Sequence, residues 1–192
     1  MARFWTNCWL ALGLGMTGNA WAAHAYAQFG DIRYPAGFAH FSYVNPAAPK
    51  GGEIVLVPPT RQSNFDKYNP FTLKGSAPPA MLGMVFDTLL VGNMDEPTTA
   101  YGLLASDVQV APDRLSVTFS LNPLARFHNG DPVLAVDVKH SFERITSKQA
   151  APQYRTYFGE VKSATVLSER QIRFDFQDRK STRLNSSHDQ RS

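Results

Sequence analysis

Residues 115–145 have the sequence LSVTFSLNPLARFHNGDPVLAVDVKHSFERI, and this stretch decides the fold class. Apolar and polar residues alternate strictly over residues 115–121, which predicts a strand with one face against a core. Asn129-Gly130 predicts a tight hairpin turn, because both residues tolerate positive φ. Residues 136–145 then place apolar side chains at helical spacing. A strand, a turn and a helix in this order predict a mixed α/β fold.

Four further elements are predicted outside this stretch. Residues 23–50 are rich in turn formers and aromatic residues and predict an extended lead-in. Residues 53–57 predict a short strand buried on both faces. Alternation over residues 172–176 predicts a last strand, which runs directly into a polar tail, so we expect its partner strands to be missing. Spacing of i, i+3, i+4, i+7 and i+8 predicts a helix with one core face, formed by Met81, Met84, Val85, Thr88 and Leu89.

The first 22 residues differ in composition from the rest of the chain. They contain all three tryptophans and the single cysteine. Basic Arg3, a mostly apolar stretch over residues 4–16 and a small-x-small site at residues 20–22 predict a secretory signal peptide. We expect cleavage after Ala22, with Ala25 as the second possibility, and an N-terminal core helix is the alternative interpretation. The released protein would contain no cysteine, which suits an oxidising compartment.

Residues 178–192 form the polar tail. The sequence DRKSTRLNSSH at residues 178–188 resembles the translation of a common sequencing-library adapter at every codon. The alternative is an ordinary Ser-rich tail. We therefore expect the natural protein to continue differently after Gln177, and we assign no function to the tail.

The charge distribution argues against nucleic acid as a partner. The whole chain has 19 Lys and Arg against 16 Asp and Glu, but the excess of basic residues lies in the two terminal segments. Residues 23–177 are formally neutral, so the basic surface that nucleic-acid binding requires is not expected. No apolar run in residues 23–177 reaches the length of a membrane span, so direct membrane insertion is not expected either.

Motifs for chemistry are not found in the sequence. There is no G-x-S-x-G motif and no glycine-rich phosphate loop, and the histidines lack metal-ligand spacing such as H-E-x-x-H. The adjacent acids Asp95 and Glu96 fall on a predicted loop, where such pairs are usually solvated. We therefore predict no catalytic residues, no metal site and no cofactor. Carboxylates distant in sequence can still meet in space, so the residues alone leave the activity open.

A family resemblance gives these elements a function. Residues 115–121, ARFHNGDPV at 125–133 and DVKHSFE at 137–143 resemble the signature of family 5 extracellular solute-binding proteins, which are peptide-binding components of bacterial ABC importers. The resemblance covers residues 29–177 and is greatest to the YejA-like branch. One departure is Leu134 where the signature commonly has Thr before the helix, and losing a Thr N-cap typically costs about 1 kcal/mol.

The resemblance implies an N-terminal fragment of a two-lobed, type II-like periplasmic binding protein with incomplete sheets. Chain order in the family implies that residues 23–87 contain the lead-in and the start of the first lobe. Residues 88–177 would form a smaller, truncated mixed α/β domain that packs on it. The implied protein is a monomer in the periplasm that binds an oligopeptide and delivers it to ABC permease subunits in the inner membrane. A non-peptide ligand such as nickel, a sugar or haem, and a secreted hydrolase, are the alternatives.

The resemblance also selects the candidate ligand-binding residues. Lys74, Gly75 and Ser76 match a family segment that pairs with bound peptide through its main chain, and Gly75 would allow two backbones to approach closely. A plain connecting loop is the alternative for this segment. Tyr154 matches a family region that supplies an aromatic ligand contact, and a core or surface tyrosine is the alternative.

Overall fold

The computed structural model describes residues 23–53, 55, 66–78 and 81–177. The predicted signal peptide, most of the predicted strand over residues 53–57 and the tail lie outside the described residues. In chain order the elements are β1 (Ala25–Ala27), α1 (Met81–Val85), β2 (Leu90–Gly92), β3 (Thr99–Gly102), β4 (Ala105–Val110), β5 (Ser116–Leu121), α2 (Ala135–Thr146), α3 (Pro152–Tyr157), β6 (Val161–Ser168) and β7 (Gln171–Phe176).

The larger sheet is antiparallel throughout and has the strand order β4-β5-β7-β6. Helix α2 packs against β6 and β7. The Phe174 ring lies between the rings of Phe142 on α2 and Phe119 on β5, at centroid distances of 5.4 and 5.9 Å. The predicted alternation on β5 is therefore confirmed, since its apolar positions face this core. Its buried members are Leu121, Val133, Ala135, Ile172 and Phe174.

The last predicted strand is confirmed as β7, but the expectation that its partner strands are missing is wrong. On one side Ile172 pairs with Phe119 of β5, and on the other side it pairs with Val166 of β6. The Ile172 side chain is completely buried. The prediction failed because β6, which precedes β7 in a hairpin, has a weak alternation in which small and polar residues occupy many positions.

Helix α2 is confirmed, and a turn forms at the predicted place, but of Asn129 and Gly130 only Gly130 has a positive φ. Gly130 has a φ of +92°, and its N–H donates to Phe127 O at 2.9 Å. At the helix start the Leu134 side chain has no acceptor, but the Leu134 N–H donates to Asp137 Oδ2 at 2.8 Å. This is one half of a capping box, and the carboxylate also opposes the positive end of the helix dipole. Asp137 therefore compensates in part for the missing Thr cap.

The smaller sheet has the order β1-β3-β2 and is built partly from the lead-in. Strand β1 pairs with β3, and the rings of Tyr34, Phe38 and Phe41 surround Tyr101 at centroid distances of 5.3 to 5.6 Å. Tyr101 is 1% exposed. The expectation of an extended lead-in is thus wrong for this part, because non-periodic aromatic residues fold back to bury one tyrosine.

The predicted helix with one core face is mostly wrong. Helix α1 ends at Val85 and has no buried residue, and Met84 is 68% exposed. Leu89 instead uses its carbonyl to accept the N–H groups of Leu103 and Ala105, at 3.0 Å each. The chain is thereby directed into β2, which ends the helical periodicity.

The predicted boundary between residues 87 and 88 stays a prediction. Strand β1 crosses it by pairing with β3, and Ala23 and Val108 exchange two backbone hydrogen bonds of 3.1 and 2.8 Å. Segments on both sides of the boundary therefore share hydrogen bonds.

Candidate functional site

The candidate site is built on a loop, residues 66–78, that contains the predicted residues Lys74, Gly75 and Ser76. Its two ends are joined by Asp66. The Ser76 N–H donates to Asp66 Oδ1 at 2.5 Å, and the Asp66 N–H donates to Ser76 O at 3.3 Å. Inside the loop, Lys67 Nζ donates to Thr72 O at 2.8 Å. The loop is thus closed at its neck and braced across its middle.

The sequence Asn69-Pro70 determines how the loop turns. Asn69 Oδ1 accepts the Phe71 N–H at 2.9 Å, which is the local hydrogen bond of an Asx turn. Thr72 Oγ1 adds a bond to Asn69 O at 3.2 Å. These contacts reverse the chain directly before the bridge residue Thr72.

Residues 71–73 pair with the connection between α2 and α3. The Leu73 N–H donates to Gln149 O at 3.2 Å, and the Ala151 N–H donates to Phe71 O at 2.8 Å. Thr72 and Ala150 form the antiparallel bridge between these bonds, and Ala150 is 3% exposed. This short ladder fixes the 66–78 loop against the start of α3.

The ladder brings the second predicted region close to the first. Tyr154 lies in the first turn of α3, which begins at Pro152, and it is partly buried. Its ring contacts the Phe71 ring edge to face at a centroid distance of 5.1 Å, and Phe71 makes a similar contact with Phe86. Tyr154 therefore packs beside the stem of the loop, and its contact with a ligand stays a prediction.

Gly75 has two structural reasons to be glycine. Its φ is +85°, in the region that favours glycine, and a Cβ at this position would lie 2.6 Å from Asp66 Oδ1. The sequence-based reason was a close approach of ligand backbone, whereas the close approach in the structure is that of the Asp66 carboxylate.

The three predicted residues differ in whether their backbone N–H and C=O groups form hydrogen bonds among the described residues. Ser76 uses its N–H and its C=O on Asp66. Lys74 and Gly75 are exposed, and none of the hydrogen bonds among described residues uses their backbone groups. Their pairing with an extended ligand stays a prediction. Sequence reasoning missed Asp66 and Lys67, because no short motif connects an acid to a backbone amide ten residues later.

A second polar cluster joins the lead-in to the connection between β2 and β3. Asp95 accepts hydrogen bonds from the Tyr34 hydroxyl and, at 2.7 Å, from Ser42 Oγ, and Arg33 Nη1 lies 3.7 Å away. These hydrogen bonds, and then the Arg33 charge, lower the pKa of the Asp95 carboxyl. The expectation that Asp95 is simply solvated is therefore wrong.

Its neighbour Glu96 is also engaged. Glu96 accepts the Tyr101 hydroxyl at 2.5 Å and the Arg33 N–H at 2.9 Å. Burial first, and the bond to Glu96 second, raise the pKa of Tyr101. The cluster therefore ties three chain segments together.

A groove of about 580 Å³ lies elsewhere, between the lead-in and the connection from β4 to β5. Its lining includes Tyr26, Phe29, Val110 and Arg114, and none of the four predicted site residues. Across the described ranges no three His, Cys, Asp or Glu side chains are grouped to hold a metal ion. No helix in the described part of the chain is long and apolar enough to span a membrane.

Comparison with known proteins agrees with this architecture. NikA from Brucella suis, solved in complex with Fe(III)-EDTA, superposes with a TM-score of 0.52 and 24% identity, over 60% of this chain and 22% of that chain. The described part of the chain therefore has the fold of the matching part of NikA. Residues 99–189, a range that continues into the tail, match the family model for the middle region of bacterial extracellular solute-binding proteins, family 5.

The curated relatives refine this class to a branch. YejA of Escherichia coli (strain K12), an uncharacterised protein, is 40% identical over 144 residues, which are 75% of this chain and 22% of that protein. The probable peptide-binding protein YejA of Agrobacterium fabrum is 39% identical over 155 residues, 81% of this chain and 24% of that protein. Over its matched part, the chain is therefore confirmed to resemble family 5 of the extracellular solute-binding proteins, in the YejA-like branch. It spans less than a quarter of the length of these two relatives.

Proposed function

We propose that the full-length protein is the periplasmic binding component of an ABC importer. It binds oligopeptides reversibly as a monomer and delivers them to permease subunits in the inner membrane, without a chemical step. The observation that carries this proposal is the exposed main chain of Lys74 and Gly75, in a loop that is closed by bonds between Asp66 and Ser76 and between Lys67 and Thr72.

Main-chain recognition fits a peptide ligand because every peptide offers the same backbone donors and acceptors, whatever its side chains. Each such hydrogen bond contributes about 0.5–1.5 kcal/mol net. The residue before Lys74 is the apolar Leu73, whose side chain is 58% exposed. A backbone acceptor beside an exposed apolar side chain suits an extended chain with varied side chains.

The name of one relative supports the same ligand class. The Agrobacterium fabrum protein is described as a probable peptide-binding protein. A family 5 binder of nickel, a sugar or haem is the first alternative, and a secreted hydrolase with catalytic residues outside residues 23–177 is the second.

Titration calorimetry of the full-length protein against a mixed tri- to decapeptide library tests the ligand class. We expect saturable heat with peptides and no change in peptide composition after recovery. Nickel chloride and a mixture of oligosaccharides are titrated in parallel. Heat with either of these and none with peptides would contradict the proposal, and new peptide termini after incubation would indicate a hydrolase.

Single substitutions test the site. Lys74→Ala should weaken peptide binding only slightly, because an exposed charge contributes roughly 0–1 kcal/mol. Tyr154→Leu should weaken it more than Tyr26→Leu, a matched control on β1. Gly75→Val should abolish binding, although its Cβ also displaces Asp66, so the Tyr154 comparison is the cleaner one. Wild-type affinity in both Gly75→Val and Tyr154→Leu would refute the site assignment.

A further inference from the structure

Asp66 is exposed and was not selected by any sequence motif, yet it forms two hydrogen bonds to one residue across the neck of the 66–78 loop. Its Oδ1 accepts the Ser76 N–H at 2.5 Å, and its own N–H donates to Ser76 O at 3.3 Å. A bond from an amide to an ionised carboxylate is charge-assisted and stronger than a neutral one.

The first of these bonds has a directional effect on the neighbouring residue. The Ser76 N–H and the Gly75 C=O belong to one planar peptide unit, and the described chain has no cis peptide bond. In a trans unit the N–H and the C=O point in opposite directions. Because Asp66 holds the N–H, the Gly75 C=O points away from Asp66.

Glycine makes this restraint necessary. Gly75 is at φ +85° and has no Cβ to limit its backbone, so the peptide unit that follows it can rotate with little steric resistance. A Cβ at Gly75 would lie 2.6 Å from Asp66 Oδ1. The absence of this atom therefore lets the Asp66 carboxylate approach closely. The glycine and the aspartate therefore form a matched pair.

We propose that Asp66 is a positioning residue of the peptide site: it fixes the peptide unit between Gly75 and Ser76, so that the Gly75 C=O accepts an N–H of an extended peptide ligand. The inference rests on the proposed function, because it assigns a role to Asp66 in that same site. Lys67 supports it by fixing Thr72 O on the opposite side of the loop.

The first measurement needs no ligand. Amide hydrogen exchange of the full-length protein should show protection at Ser76, and Asp66→Ala should remove it. Asp66→Asn keeps an acceptor oxygen and should retain most of the protection. Asp113→Ala is the control, since Asp113 is another exposed aspartate that accepts a backbone N–H, from Leu115 at 2.9 Å, in the connection between β4 and β5. It should leave Ser76 unchanged.

The second measurement is titration with the mixed tri- to decapeptide library. Asp66→Ala should bind about tenfold more weakly than wild type, which corresponds to about 1.4 kcal/mol. Asp66→Asn should stay within about threefold, as expected if the hydrogen bond matters more than the charge. Asp113→Ala should bind like wild type.

A third measurement separates orientation from general stability. A single hexapeptide that binds the wild type is N-methylated at each backbone position in turn, which removes one N–H at a time. One derivative should lose affinity with the wild type and lose much less with Asp66→Ala, because the carbonyl that receives that N–H is no longer held in place. Equal losses in both proteins at every position would overturn the inference.

Failure of this inference and failure of the proposed function give different results. If the wild type binds no peptide, the proposed function is wrong, and the exchange data still decide whether Asp66 holds Ser76. If the wild type binds peptides and Asp66→Ala binds them equally well, the function stands and the positioning role is overturned. Equal weakening in Asp66→Asn and Asp66→Ala would also overturn it, because charge would then be the cause.

Discussion

The central position of β7 predicts a large loss of stability from Phe174→Ala. Phe174 is 9% exposed and packs between Phe119 and Phe142. A phenylalanine buries about 150–250 Å², and at about 25 cal/mol per Å² this contributes roughly 4–6 kcal/mol, an upper value because unfolded chains already bury part of that area. Measured Phe→Ala changes in cores cost about 3–5 kcal/mol. We expect Phe174→Ala to fall in this range.

The assay is urea-dependent hydrogen exchange of the β5 and β7 amides in the full-length protein. It reports the free energy that opens this sheet and does not require the whole protein to unfold in one step. The matched control is Phe29→Ala, because Phe29 is 71% exposed and should change the opening free energy by less than about 0.5 kcal/mol.

The result that would refute the reasoning is an equally small effect at both positions. It would mean that β7 lacks the neighbours seen in the structure and that its apolar face is not enclosed. A loss confined to β7 amides, with β5 unaffected, would likewise contradict a sheet in which the two strands open together.

Three other predictions come from the same structure. Exported protein should begin at Ala23. Cleavage after Ala25 would remove Ala25, which is 2% exposed, and the His24 carbonyl that accepts the Gly102 N–H. N-terminal sequencing that finds Tyr26 first would disprove this. The pKa of Asp95 is lowered in the folded protein, so its ionisation adds stability that is present above the unfolded pKa near 3.9 and is lost as pH falls through the folded pKa. The free energy of unfolding of Asp95→Asn should therefore fall less steeply with decreasing pH than that of the wild type. Asp137→Ala should destabilise α2 by about 1 kcal/mol and Asp137→Asn by less, measured by exchange of the α2 amides, and equal effects would show that the hydrogen bond to Leu134 does not stabilise the helix.

Periodicity identified those elements whose apolar residues are large and regularly spaced. Strands β5 and β7 and helix α2 belong to this class. Strand β6 escaped because its sequence, VKSATVLS, mixes small and polar residues with valines, and its stability comes from pairing with β7. The fold of the lead-in was not predicted, because its aromatic residues have no regular spacing and come together only around Tyr101.

The candidate site shows the same limit. Lys74, Gly75, Ser76 and Tyr154 could be selected from family resemblance, but the packing of Tyr154 on Phe71 of the same loop depends on the pairing of Thr72 with Ala150, which are far apart in sequence. Asp66 could not be selected at all, because its role depends on the three-dimensional closure of a loop.

The pairing of β1 with β3 also imposes an order of events on the chain. Residues 25–27 emerge early during synthesis, and their hydrogen-bonding partners at residues 99–101 follow only after a long intervening segment. Until then β1 has no strand to join, and Tyr34, Phe38 and Phe41 have no Tyr101 to enclose. Contacts between residues distant in sequence form slowly. The smaller sheet therefore cannot be completed during synthesis until residues 99–101 have emerged from the ribosome.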